Sequence, residues 1–329
     1  MDLLPVIFMV LMGAAVLAYV VLDGYDLGVA MLMPAATDDE QSVMVSSIGP
    51  FWDANETWLV LGIGILLSAF PGALLPVMGA LYLPVVAMLV GLMLRGVAFE
   101  FRMKAHGWHR ELWNWLFWAG STLASFCQGM MLGRYVSGFR GGFAEWLFAV
   151  IVGASLCGGY VLMGATWLIL KTEGELQRKS IAWARWGLLW VALGVALVSL
   201  ATPIQSETVR ERWFDFPRTL WVMILPAATL ACGFWLWRST GRLREGEARH
   251  DARPFMASAA IFVLAFLGLA YSLYPYVVID KLTIWEAAAP PSGLKALLLG
   301  AAIVLPFIAG YTILSYRIFR GKAKGGLYG

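Results

Sequence analysis

Two short runs of the chain put carboxylates inside sequence that is otherwise apolar. Asp23-Gly24-Tyr25-Asp26-Leu27-Gly28-Val29 comes late in the first apolar stretch, and Trp52-Asp53-Ala54-Asn55-Glu56-Thr57-Trp58-Leu59 opens the second. A charged side chain in the middle of a membrane helix costs about 2.5–3.5 kcal/mol on insertion scales, so such residues are kept for a function or for a partner. Acids of this kind take up and release protons or hold ions. Asp23 and Asp26 are three apart and share one helix face. Gly24 and Gly28 have the small-xxx-small spacing that lets helices approach closely. Gly49-Pro50 reads as a helix start, with proline tolerated in the first turn, which puts Asp53 near a helix N-terminus. There the helix dipole and burial act on a carboxyl in opposite senses, which suits a group that must both take and give up a proton. Asn55 can bridge neighbours by hydrogen bonding, and Trp52 and Trp58 can wall the site.

A basic residue, Arg95 in Leu94-Arg95-Gly96-Val97-Ala98-Phe99-Glu100-Phe101-Arg102, falls within a third apolar stretch and offers one of the acids a charge partner. The other reading of the same residues is purely structural: the acids pair with arginines of neighbouring helices and hold a bundle together. Glu100 and Arg102 are expected at the surface, and Lys171-Thr172-Glu173-Gly174-Glu175 reads as a solvated helix end.

The elements that position these groups are apolar helices. Of 329 residues 60% are hydrophobic and 14% charged, mean hydropathy is +0.74, and runs near the length needed to cross a bilayer recur throughout. The expected fold is an all-α polytopic membrane protein, one integral domain over 1–329. Nine spans are expected at about 4–33, 51–71, 74–98, 112–133, 146–170, 183–202, 219–237, 256–278 and 294–316. No Lys or Arg precedes the first run, so it reads as a retained span and not as a signal peptide. Polar segments 203–218 and 238–255 are the longest later breaks. With nine spans, 17 of the 24 basic residues, Arg249 and Lys324 among them, fall on one face, which the positive-inside rule makes cytoplasmic. The N-terminus is then outside and the C-terminus inside. Many of the 16 tryptophans sit near span ends, as interfacial anchors do.

A net charge of +3 gives no nucleic-acid footprint. Cys127, Cys157 and Cys232 are isolated and suggest neither disulfides nor a metal site. His106, His109 and His250 fall in expected loops, so the spans offer haem no histidine ligand. No dinucleotide fingerprint, phosphate loop or hydrolase triad is present. Such a chain moves protons or supports a partner, and is not expected to be catalytic alone. A stand-alone proton-coupled transporter is the competing reading. It requires broken mid-membrane helices, for which Gly62-Ile63-Gly64 is the candidate break near the acids.

At these motifs the chain resembles subunit II of the bacterial cytochrome bd-type quinol oxidases, including the cyanide-insensitive branch. Further matching pieces are Gly174-Glu175-Leu176, Tyr274-Pro275-Tyr276 and Trp285-Glu286-Ala287-Ala288-Ala289-Pro290, in the family's order from first span to last. Ala30 and Ala54 stand where many members have glycine. The resemblance implies nine helices arranged as two four-helix bundles plus one peripheral helix, in the bacterial cytoplasmic membrane. It implies a heterodimer with a haem-bearing subunit I that holds haems b and d, oxidises quinol and reduces oxygen to water with cytoplasmic protons. It leaves room for a structural quinone or lipid on this chain, and for a small single-span accessory subunit. The position of Asp53 matches a proton path, and Asp26 matches an acid associated with assembly or the haem environment. Glu56 and Asp23 are the neighbouring acids, with Trp52, Asn55 and Arg95 in support.

Overall fold

In the computed structural model residues 3–244 and 251–323 are described, so Asp2, Arg249, His250 and Lys324 lie outside the described residues. The apolar runs form long helices: α1 (Leu4–Leu32), α3 (Trp52–Ala69), α4 (Pro71–Arg102), α5 (Trp108–Val136), α6 (Phe143–Lys171), α7 (Gly174–Gln205), α10 (Ile224–Arg244), α11 (Ala252–Leu273) and α13 (Pro291–Ile318). Prolines in the first turns of α1, α4 and α13 cost no hydrogen bond there. Between these helices lie α2 (Asp38–Ile48), α8 (Glu207–Phe214), α9 (Arg218–Val222), the hairpin strands β1 (Tyr276–Val278) and β2 (Leu282–Thr283), and α12 (Ile284–Ala287).

Among the described residues, seven helices are long and apolar enough to cross a membrane: α1 with its following turn, α4, α6, α7, α9 continued as α10, α11 and α13. The chain is a multi-pass membrane protein. The remaining two long helices, α3 and α5, are less apolar for visible reasons. The first turns of α3 hold Trp52, Asp53, Asn55 and Glu56, and α5 starts with Trp108-His109-Arg110-Glu111 and carries Gln128 and Arg134.

Helix α1 is central. It packs on α3, α5 and α6, while α4 lies along α5, α7 and α11 lie along α6, and α10 fits between α11 and α7. Every residue from Asp23 to Ala30 is buried, so this part of α1 is enclosed on all sides. Two glycines make that possible. A Cβ on Gly28 would stand 1.7 Å from the carbonyl oxygen of Tyr160 on α6, and one on Gly164 would stand 2.3 Å from the carbonyl carbon of Gly28. The peripheral α13 touches chiefly α3 and α1, and buries only Leu294, Thr312 and Ser315.

Several sequence expectations need correction. Residues 34–50 are not a plain loop: α2 begins at a Thr37–Glu40 capping box, and Lys179 reaches Glu40 at 2.9 Å. The eighth span ends at Leu273 and not near 278, because Pro275 has no amide hydrogen and disfavours helix at Tyr274; the chain turns into the hairpin instead. His109 belongs to the first turn of α5. Helix α3 runs through Gly62-Ile63-Gly64 without a break, which removes the feature that favoured a transporter.

Replacing Gly28 by Val is expected to abolish recovery of a monodisperse complex from membranes, since the α1–α6 contact cannot form. Gly64→Ala, where nothing lies within 4 Å of the added carbon, should leave recovery unchanged. Size-exclusion chromatography of a fluorescent fusion checks both.

A buried acid cluster between α1, α3 and α4

Asp23 and Arg95 are 0% and 1% exposed and face each other across α1 and α4. Arg95 Nη1 donates to Asp23 Oδ2 at 2.8 Å, and Nη2 donates to Oδ1 at 2.6 Å. This bidentate geometry is the strong form of the contact, and only good geometry and further partners offset the desolvation of two buried charges. Glu56 supplies one such partner. Its Oε1 lies 3.3 Å from Arg95 Nη2, close enough for charge attraction although it does not meet hydrogen-bond geometry. Trp52 covers the guanidinium from 5.9 Å and leans on Phe99 with ring centres 5.0 Å apart.

Asp26 lies one turn further along α1 and is 1% exposed. Asn55 Nδ2 donates to its Oδ2 at 2.8 Å, and also reaches the Tyr25 hydroxyl at 3.0 Å and the Leu22 carbonyl at 3.1 Å. Asp26 Oδ1 is buried with no hydrogen-bond partner among the described residues. The two acids therefore differ in kind. Asp23 has both oxygens held by a cation, whereas Asp26 keeps one oxygen open and meets no guanidinium directly.

Asp53 is in the first turn of α3, as the sequence indicates, but its side chain is exposed and does not join the buried group. Glu56, three residues on and about one turn away, is partly buried and is intermediate in exposure between Asp53 and the buried acids. Three of the four carboxylates thus gather round Arg95, and the fourth stands outside them.

A second polar string went unnoticed in the sequence. Gln128 Nε2 donates to the Tyr19 hydroxyl at 2.7 Å, and the Tyr160 hydroxyl donates to Gln128 Oε1 at 2.7 Å. An uncharged amide in the middle of α5 was the available signal. Tyr316 of α13 was missed as well; its hydroxyl donates to Asn55 Oδ1 at 3.3 Å and lies 2.5 Å from the Tyr25 hydroxyl.

Two residues expected at the surface are buried. Arg102 is 2% exposed, and its Nε donates to Asn114 Oδ1 at 2.5 Å, while Asn114 in turn donates to Gln41 of α2. Lys171 is 6% exposed, donates to the Phe319 carbonyl at 2.7 Å and lies about equally near the Phe51 and Trp167 rings. In both cases α2 or the end of α13 folds over a helix end that looks free in the sequence. Glu100, Glu173 and Glu175 are exposed.

Residues 4–319 match the family model for cytochrome bd terminal oxidase subunit II. The chain belongs to that family. It is 29% identical over 342 residues to cytochrome bd ubiquinol oxidase subunit 2 of Bacillus subtilis (strain 168), covering 97% of this chain and 96% of the relative. It is 26% identical over 369 residues to cytochrome bd-I ubiquinol oxidase subunit 2 of Escherichia coli (strain K12), covering 96% and 94%. The fold matches a chain of the bd oxidase from Geobacillus thermodenitrificans with a TM-score of 0.75 at 17% identity, covering 97% of this chain and 99% of that one.

In this bd subunit II chain no group of three or more His, Cys, Asp or Glu side chains among the described residues is placed to hold a metal ion. His106 and His109 are both exposed beside the α4–α5 turn. Among the described residues, both histidines lie at this turn and neither is buried in the bundle.

Breaking one side of a buried ion pair typically costs about 3–5 kcal/mol, because the other charge is left uncompensated. Arg95→Met is therefore expected to lower the melting temperature of the purified complex sharply. Combining it with Asp23→Leu should recover much of the loss. Equal melting temperatures for the single and double variants would show that the pair is not the source of the effect.

Proposed function

We propose that this chain is the haem-free subunit of a membrane complex that oxidises quinol and reduces oxygen to water, and that its acid cluster carries cytoplasmic protons toward the partner subunit. The observation that carries this reading is the graded exposure of the acids. Asp53 is exposed, Glu56 partly buried, and Asp23 and Asp26 fully buried round Arg95. A proton taken up at the Asp53 carboxylate passes along water to Glu56, then to the open oxygen of Asp26. Arg95 and Asp23 stay paired throughout, and their fixed charges hold Glu56 near the route. Asn55 orients Asp26, and Trp52 keeps water from the far side of the guanidinium.

In this reading α3 and α5 cross the membrane with the seven more apolar helices. That makes nine spans, two groups of four with α13 at the edge, the N-terminus outside and the C-terminus cytoplasmic. The excess of Lys and Arg on the C-terminal side supports this orientation. The partner, subunit I, holds haems b and d, which supply the electron transfer to oxygen; this chain supplies protons and a fitted surface. A structural quinone or lipid and a small single-span accessory subunit fit the same proposal.

Asp53→Asn in the purified complex is expected to lower quinol-driven oxygen consumption by about tenfold, less than the hundredfold or more typical of a lost proton-transfer group because water can still enter beside it. Haem content should be unchanged. Wild-type oxygen consumption at wild-type haem content would remove Asp53 from the path.

A further inference from the structure

The last described helix, α13, has few contacts with the rest of the chain, yet one of its side chains completes the surroundings of Asp26. Tyr316 stacks on Phe51 with ring centres 4.6 Å apart. The segment after it is fastened at several points. Lys171 Nζ donates to the Phe319 carbonyl at 2.7 Å, Ala323 N donates to the Lys171 carbonyl at 2.7 Å, and Lys322 Nζ donates to the Thr172 carbonyl at 3.1 Å and pairs with Asp251.

Following the hydrogens round Asn55 gives a closed ring. An amide nitrogen only donates and an amide oxygen only accepts, whereas a phenol does each once in such a ring. Asn55 Nδ2 donates to the Tyr25 hydroxyl at 3.0 Å, so Tyr25 spends its own hydrogen on Tyr316, 2.5 Å away. Tyr316 then spends its hydrogen on Asn55 Oδ1 at 3.3 Å. The other Nδ2 hydrogen is left for the Asp26 and Leu22 oxygens. Turning the amide over would only reverse the direction of the ring, but it would set the amide carbonyl oxygen against a carboxylate and a backbone carbonyl. The Asp26 and Leu22 oxygens therefore decide the orientation, and the ring holds the amide in place. Neither tyrosine retains a hydrogen for Asp26, so the ring orients that carboxyl and is no route to it.

We propose that Tyr316 is a positioning residue for Asp26: through the ring with Tyr25 it holds the Asn55 amide in place beside the carboxyl to which it donates, leaving Asp26 Oδ1 as the oxygen that exchanges protons. The inference rests on the reading that Asp26 carries protons. Tyr316→Phe removes the one hydroxyl and keeps the stacking on Phe51.

The test uses the purified complex with its partner subunit. The infrared band of Asp26, identified by its disappearance in Asp26→Asn, is expected to shift in Tyr316→Phe. Turnover should fall about threefold to tenfold, the effect of weakening one hydrogen bond to a charged group, with KM for quinol and haem content unchanged. Tyr25→Phe breaks the same ring and should do the same. Tyr311→Phe, on an exposed part of α13, should do neither. An unmoved band and wild-type turnover in Tyr316→Phe would overturn the inference, and so would failure of both ring variants to assemble, since the ring would then be structural only. If Asp26→Asn itself kept full turnover, the proton-carrying reading of the site would fall instead.

Discussion

One guanidinium organises this protein. Arg95 is enclosed by apolar helices, where an unpaired charge is not tolerated, and the chain meets that constraint with a bidentate carboxylate from α1 and a second acid from α3. Three helices are thereby held in one register at one depth. The steric half of the constraint lies on the opposite side of α1, where Gly28 and Gly164 bring backbone against backbone. A helix pinned by charge on one side and by close approach on the other has little freedom to rotate. That rigidity lets Asp26, one turn away, present one oxygen to Asn55 and leave the other open.

The pairing also separates two acids of similar appearance. In the sequence Asp23 and Asp26 are equivalent, three residues apart on one helix. In the fold, Asp23 is committed to a cation by both oxygens, and Asp26 is bound by an amide alone. The distinction between the acid held by a cation and the acid with one oxygen left open comes from which neighbour each meets.

Much of this was legible in the sequence because charge is rare in apolar helices. Asp23, Asp26, Glu56 and Arg95 stood out for that reason, and the long helices followed from the apolar runs. Relations between distant parts of the chain were not legible. Tyr316 and Tyr25 are separated by 291 positions, and a tyrosine near a helix end reads as an interfacial anchor. Arg102 and Lys171 read as solvated ends, since nothing local reveals that α2 and the end of α13 cover them. Asp53 shows the converse. Its place in the first turn of α3 was readable, but its separation from the buried cluster depends on which way that turn faces.

The ring at Asn55 joins the first helix to the last one described, with α3 between them. During synthesis α1 and α3 are made early, and for most of translation the Asn55 amide has its partners on α1 but none on α13. Only when α13 has emerged and docked does the local arrangement acquire its final member. On the proposed role of Tyr316, a half-made subunit contains every carboxylate of the cluster yet lacks the hydroxyl that steadies the Asn55 amide beside Asp26.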